Sequence, residues 1–425
     1  MTIASADWVV PVAGPPIKDG AVAFEDGLIT AVGTAAELGT GERFEDAVIF
    51  PGFVNAHSHL EYAAYAGFGD GLSFPPWIGL HIARKRRLDQ AGTEAMARLG
   101  AAECLRSGIT TVGDCSFAGA TAVACDELGL RAIVYLEVFG ENAGALDGFA
   151  VLRERVADSL SDRVQLGISP HAPYTCTVEL YEACAELGLP IATHLSESEA
   201  ELEYLRSGRG PWESLAEFLV PPLGRGAIGA LAEAGVLGPS VIAAHCVHVT
   251  DEEIAQLAET ATTVAHCPRS NALLGCGVAP LAALREAGVR VCIATDSPAS
   301  TPSFDMFDEL RTAVMSARAR ERRPDALTTA DALELATLGG ARALGLDTEI
   351  GSLEPGKQAD ITVVSLADSP FFPWEDPITA VVLGGSPERV LATLVSGEER
   401  YRRGGTTWHA STSSAQQARA RMLEA

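Results

Sequence analysis

The stretch Pro51-Gly52-Phe53-Val54-Asn55-Ala56-His57-Ser58-His59 decides how this chain of 425 residues is read. Gly52–Ala56 is a short apolar run, as expected of a strand covered on both faces. It ends on two histidines separated by one residue. Working outward, comparable runs recur at Ile109–Gly113, Arg131–Val138, Val164–Ser169, Ile191–Thr193, Val241–Ala244, Thr263–Ala265 and Val289–Thr295. Helix-like stretches lie between them. One is Thr93–Arg106. Another, Thr250–Glu259, opens on a T-x-x-E capping box formed by Thr250 and Glu253. Buried strands alternating with helices predict an α/β protein built on a (β/α)8 TIM barrel. Two connections are long, roughly Leu60–Gly92 after the first strand and Glu197–Gly235 after the fifth. Insertions there fall on the catalytic face of a barrel and can act as lids.

The two ends of the chain read differently. Ala21–Phe24, Leu28–Val32 and Ala47–Phe50 are strand-like, with turn signals such as Asp26-Gly27 between them. Ile361–Leu366, Ala380–Leu383 and Val390–Val395 look the same. Neither end is long enough to bury a good core alone. The expectation is one small β-sandwich assembled from residues 1–51 plus 352–410, with the barrel over 52–351. Residues 411–425 read as a terminal helix or a frayed tail, and a surface tail is the expectation.

Composition narrows the function. The 31 Lys and Arg against 56 Asp and Glu leave a net charge of −25, a poor match for nucleic acid or an anionic membrane. Met1–Pro16 has no positive region followed by an apolar run, so no secretory signal is expected. No run of about 18 apolar residues predicts a transmembrane helix. The nine cysteines show no C-x-x-C spacing, which points away from disulfides and toward a cytoplasmic protein. Walker A, G-x-G-x-x-G, G-x-S-x-G and H-E-x-x-H motifs are absent.

The polar residues at the predicted strand ends carry the chemistry, because barrel enzymes work at the C-terminal ends of their strands. His57 and His59 end the first strand, His171 the fourth, His194 the fifth, His245 the sixth, His266 the seventh and Asp296 the eighth. Two residues apart on an extended chain, His57 and His59 point the same way. Alone, that pair reads equally as two polar residues at a strand mouth. With His194 and Asp296 it becomes three imidazoles and a carboxylate, a set suited to one divalent metal per chain, Zn²⁺ with Fe²⁺ as the alternative. The lysines Lys18, Lys85 and Lys357 end no predicted strand. A carboxylated lysine bridging a second metal is therefore not expected.

These strings together resemble the amidohydrolase superfamily. The resemblance rests on Pro51–His59, Ser169-Pro170-His171-Ala172-Pro173-Tyr174, Thr193-His194-Leu195-Ser196-Glu197 and Ala244-His245-Cys246-Val247-His248. It continues through His266-Cys267-Pro268-Arg269-Ser270-Asn271, Thr295-Asp296-Ser297 and Gly351–Lys357. The nearest branch is the mononuclear aminohydrolases, which holds methylthioadenosine/S-adenosylhomocysteine deaminases, aminodeoxyfutalosine deaminases and triazine hydrolases. The resemblance implies that His57, His59, His194 and Asp296 hold the metal and that Asp296 also takes a proton from water. It implies that Glu197 shuttles a proton to a ring nitrogen, that His245 bonds the water or the developing tetrahedral centre, and that His171 contacts the substrate heterocycle. It also implies a small heterocyclic substrate and a homodimer.

One departure bears on the substrate. In the methylthioadenosine-type enzymes a tryptophan of the first insertion is followed nine residues later by a glutamate for the ribose hydroxyls. Here Trp77 is followed at that offset by Arg86, inside Arg84-Lys85-Arg86-Arg87. The run reads either as a solvated helix face or as an anion site, because an Arg fork binds carboxylates. Arg269 is a second candidate anchor, and Glu61 a candidate for the ribose or a ring nitrogen. Aminodeoxyfutalosine, an adenine nucleoside carrying a carboxylate, would use both an aminopurine pocket and a cation. Adenosine or S-adenosylhomocysteine deamination and triazine-type amino- or chlorohydrolysis are the alternatives, and a metal-free scaffold is the reading outside catalysis. His248, His266, Asp114 and Glu137 are expected to support the site from behind, His81 to lie in a lid or on the surface, and His409 in the tail.

Overall fold

The computed structural model describes residues 1–371 and 375–424. The chain opens with β1 (Thr2–Val9), β2 (Ile17–Glu25), β3 (Leu28–Thr34) and β4 (Glu42–Pro51). The barrel follows with β5 (Phe53–Ser58), β6 (Ile109–Ser116), β7 (Arg131–Val138), β8 (Val164–Pro170), β9 (Ile191–Leu195), β10 (Val241–His245), β11 (Thr263–His266) and β12 (Arg290–Ile293). The chain then returns with β13 (Ile361–Ser365), β14 (Val390–Val395) and β15 (Glu398–Arg402).

All eight predicted barrel strands are present and pair in chain order in one parallel sheet. Every residue of β5, β6 and β7 is buried, as a parallel sheet covered on both faces requires. The barrel closes where the end of β12 meets β5. Ser58 and Asp296 form a parallel bridge, and the Asp296 N–H donates to the His57 carbonyl at 3.0 Å. Just below, Asn55 Nδ2 donates to Thr295 Oγ1 (2.7 Å) and Thr295 N donates back to Asn55 Oδ1 (2.9 Å).

The terminal strands form a second sheet in the order β15–β14–β13–β4–β1–β2–β3. The two ends of the chain meet at the antiparallel β4–β13 pair. Phe24, Ile29, Phe44, Ile49, Leu353 and Ile361 belong to an apolar cluster of this unit, separate from those of the barrel. Thr2–Val9, too mixed in polarity to be read as a strand, is ordered by pairing with β2 on one side and β4 on the other.

Two expectations about the C-terminal region are corrected. Ala380–Leu383 is not a strand but part of a helix over Pro377–Gly384. The Asp376 carboxylate accepts from the N–H groups of Ile378 and Thr379, and Pro377 takes a first-turn position where its missing N–H costs nothing. Nor does the chain end in a loose tail. Thr407–Leu423 is a helix whose Ala415, Ala418 and Met422 are buried, and it packs against the helix Gln90–Arg106. Two of those three residues are alanines, so the stripe is apolar but weak as a sequence signal. All nine cysteines are free and buried. Among the described residues no helix is long and apolar enough to cross a membrane.

One buried ion pair joins the two units. Arg131 of β7 donates through Nε and Nη2 to the two carboxylate oxygens of Asp360 (3.2 and 3.4 Å), which also accepts from Ser396 N at 2.7 Å. Both side chains are nearly fully buried. Removing one partner strands the other charge out of water. Arg131→Ala should therefore lower the unfolding free energy by about 3–5 kcal/mol in urea titration. A loss below about 1 kcal/mol would show that the pair does not tie the sheet to the barrel.

Candidate active site

The strand ends deliver four side chains to one point. His59 Nε2 lies 3.3 Å from His194 Nε2, and Asp296 Oδ1 lies 3.5 Å from His59 Nε2 and 3.7 Å from His57 Nε2. His57 Nε2 is buried without a hydrogen-bond partner. Unprotonated nitrogens facing one another at this distance are unfavourable unless something positive sits between them. Ligand atoms about 2.0–2.1 Å from a tetrahedral zinc lie about 3.4 Å apart, so the donor set fits such an ion. Burial drives the His57 imidazole well below its ordinary pKa and takes His59 to about 3. His194 is lowered by the same cause. All three are therefore neutral, the form that ligates metals.

The surroundings orient each donor. His194 Nδ1 donates to the His171 carbonyl at 2.7 Å, which leaves Nε2 as the free lone pair. Ser58, between the two histidines of the H-x-H pair, donates to Asp114, which also accepts from Leu60 N and Thr121 Oγ1. Asp114 thus fixes the turn that aims His57 and His59, as expected of a supporting group. Asp296 Oδ2 accepts from Ser270 Oγ (2.6 Å) and Ser300 Oγ (2.9 Å), which leaves Oδ1 toward the imidazoles. No role was read for either serine in the sequence. The available signal was Ser270's place just after β11.

Two further groups stand beside this cluster. Glu197 Oε1 lies 3.6 Å from His245 Nε2, and His245 Nδ1 bonds Asn271 Oδ1 at 3.0 Å. Burial, then the neighbouring Asp296 and Glu201, push the Glu197 carboxyl well above its ordinary value. Burial also raises Asp296, but His245, His59 and Ser270 outweigh it and hold that carboxyl low. Glu201 accepts from the N–H groups of Ser196 and Glu197 (2.9 and 2.7 Å), so it fixes the backbone that carries Glu197.

Above the cluster opens a cavity of about 570 Å³. His171, Trp77 and Arg86 line it, as do Glu197, His245 and Asp296. Both long insertions contribute walls, among them Phe74 and His81 from the first and Trp212 and Phe218 from the second. His171 Nδ1 bonds Thr175 Oγ1 (2.8 Å), whose own proton goes to the Ala172 carbonyl, so His171 Nε2 is left as an acceptor. The sequence places Glu137 behind the site, offers Lys85 only as part of the basic run 84–87, and gives Tyr62 no role. All three face the cavity, and burial raises the Glu137 carboxyl to about 7 against the opposing pull of Lys85. The Lys85 ammonium stands 4.2 Å from the Phe117 ring centroid, and the Arg86 guanidinium 5.4 Å from that of Phe218.

Two expected substrate contacts are corrected. Glu61 does not reach the cavity. It is fully buried and accepts from Ser116 Oγ and from the N–H groups of Phe117, Ala118 and Ala120, capping the helix Ala120–Leu128. Arg269 is likewise withdrawn. It pairs through Nε with buried Glu309 at 2.6 Å and donates through Nη2 to the Ser303 carbonyl, which pins the loop after Asp296. His266 and His248 line no part of the cavity, and His248 bonds the Cys276 carbonyl.

Comparison with known proteins follows the same lines. The family model described as "Amidohydrolase family" matches residues 48–400. The chain is 35% identical over 412 residues to the 5-methylthioadenosine/S-adenosylhomocysteine deaminase of Moorella thermoacetica, covering 93% of each chain. It is 34% identical to the 5'-deoxyadenosine deaminase of Methanothermobacter thermautotrophicus, over 92% of this chain and 93% of the other. Among solved structures, a zinc-bound adenosine deaminase from Xanthomonas campestris superimposes with a TM-score of 0.88 at 29% identity, covering 99% of this chain and 98% of the other.

Metal analysis of protein purified without chelator should give close to one divalent ion per chain. His57→Ala and His194→Ala should each bring it below about 0.1, with the fold intact by circular dichroism. Two ions per chain, or full occupancy in both variants, would be incompatible with this donor set.

Proposed function

The chain belongs to the amidohydrolase family, and we propose that it hydrolytically deaminates an adenine nucleoside whose far end carries a carboxylate, aminodeoxyfutalosine being the leading candidate. As a family member it is a metal-dependent aminohydrolase acting on C–N bonds. The observation that carries the finer reading is the pairing of two buried carboxyls in opposite states, Asp296 and Glu197, in a cavity whose lining also holds Lys85 and Arg86.

In this reading His57, His59, His194 and Asp296 hold a divalent metal, taken as Zn²⁺, which supplies a Lewis acid that lowers the pKa of water toward ~7. The residues divide the remaining work. Asp296 takes the proton of the attacking water, because its carboxyl is the one kept ionised. Glu197, kept protonated, gives its proton to the ring nitrogen next to the carbon under attack. The neutral His245, with Nδ1 bonded to Asn271, offers Nε2 as an acceptor to the water. The proton gathered by Asp296 then goes to the amine, which leaves as ammonia, while the hydroxyl on the same carbon returns its proton to Glu197 and becomes the carbonyl. His171 Nε2 meets the heterocycle from the side.

Lys85 and Arg86, which also line the cavity, rest on the faces of Phe117 and Phe218. An arginine at position 86 suits a carboxylate rather than ribose hydroxyls. A homodimer and a cytoplasmic location complete the proposal, the first from the family resemblance and the second from the thiol content.

Ammonia release over adenosine, S-adenosylhomocysteine, aminodeoxyfutalosine, guanine and melamine tests the proposal. The carboxylated nucleoside should give the highest kcat/KM. Glu197→Gln should lower kcat by roughly 10²–10⁴. The double variant Lys85→Ala/Arg86→Ala should lose more than tenfold in kcat/KM on the carboxylated nucleoside and stay within threefold on adenosine. Turnover confined to triazines would favour the chlorohydrolase-type alternative, and an equal loss on both nucleosides would remove the carboxylate from the reading.

A further inference from the structure

We infer that the C-terminal helix Thr407–Leu423 sets the position of the lid over the cavity, and that Arg419 is the positioning residue through which it acts. The lid is the helix Phe74–Lys85 with the turns that lead into it. One side of that helix lines the cavity through Trp77, Ile78, His81 and Lys85. Arg84 and Arg87, three residues apart, point the other way. Arg84 Nη1 donates to the Met422 carbonyl, and Arg87 Nη1 donates to the carbonyls of Met422 (3.3 Å) and Glu424. The last carbonyls of a helix lack intrahelical donors and carry the negative end of its dipole, so two guanidinium groups suit that place.

The helix reaches back in turn. Arg419 Nη1 donates to the Ala64 carbonyl and Nη2 to the Ala66 carbonyl at 3.1 Å. Its guanidinium lies 4.2 Å from the Phe68 ring centroid, and Arg84 lies 5.1 Å from the same ring. The segment so held is weakly fixed by its own bonds. Its backbone bonds at Tyr65, Phe68 and Leu72 are local turns, each spanning three residues. Gly67, Gly69 and Gly71 all sit at positive φ (84°, 80° and 78°), between the Arg419 anchor and the lid helix. Beyond the buried Tyr65, residues 66–73 are half-buried or exposed, so this part has few contacts of its own to resist local opening. A line of ring contacts continues inward. Tyr65 meets His81 with ring centroids 5.7 Å apart, and His81 meets Trp77 at 4.3 Å, where the cavity begins.

The kinetic part of this inference rests on the deaminase reading, whereas the structural part does not. The test therefore measures both on full-length, metal-loaded protein: wild type, Arg419→Ala, Arg419→Lys and Arg421→Ala. Arg421 lies on the same helix but pairs with Asp89, beyond the lid. In Arg419→Ala, amide hydrogen exchange over residues 64–88 should quicken at least tenfold, with no change in β10. KM for the preferred nucleoside should rise at least fivefold, with kcat within twofold. Arg419→Lys should fall between Arg419→Ala and wild type in both readouts, and Arg421→Ala should move neither. The inference is overturned if lid exchange stays within twofold of wild type, if β10 quickens equally, or if kcat falls while KM holds. Should Arg419→Ala fail to fold, Arg419→Lys decides by the same criteria. If wild type deaminates no nucleoside, the functional reading fails, and exchange still decides the role of Arg419.

Discussion

Closure of the barrel between β12 and β5 is the constraint on which the site depends. The Asp296 N–H bond to the His57 carbonyl and the reciprocal Asn55–Thr295 pair join the first strand to the last. They also set the carboxylate against the H-x-H pair. Successive side chains on a strand alternate faces, so a slip of one residue at this seam would turn Asp296 away from His57 and His59. The clamp is buried, and breaking it would leave an amide unsatisfied as well as the ligands apart. Closure of the fold and the placement of these candidate donors thus rest on the same few hydrogen bonds.

Burial does two opposite jobs around that seam. It strips protons from the histidines, which leaves them in the form a metal needs, and it favours protons on the carboxyls, Glu197 among them. Asp296 escapes because two serine hydroxyls and the imidazoles surround it. Glu197 faces other carboxyls instead. Two acids in one dry pocket are thereby driven to different states by their neighbours alone, which is the division that acid–base chemistry at neutral pH needs.

How much of this was legible in the sequence follows from what a strand pattern can encode. The eight barrel strands are legible as short continuous apolar runs that end on polar residues, and His57, His59, His194 and Asp296 meet because parallel strands end on one face. A place just beyond a strand end does not by itself aim a side chain at the site. Glu61 and Arg269 both follow such ends, yet loop backbone turns the first toward a helix N-terminus and the second toward Glu309. Spacing carries no record of that turn. Ala380–Leu383 misled for another reason: a short apolar run fits a strand or a buried helix, and the Asp376-Pro377 start decides for the helix. The C-terminal stretch left helix and tail both open because alanines give a poor hydrophobic signal even when fully buried.

The basic run at residues 84–87 shows why sequence alone left two readings open. A helix advances about 100° per residue, so four consecutive cations cannot share one face. Lys85 looks into the cavity from its inner side, and Arg84 and Arg87 hold helix carbonyls on its outer side. Arg86, at the helix end, lines the cavity rim over Phe218. The solvated-face reading and the anion-site reading each describe part of the run. The hydrogen bonds of Arg84 and Arg87 to the Met422 and Glu424 carbonyls therefore join the helix Thr407–Leu423 to the same turn that presents Lys85 and Arg86 to the cavity.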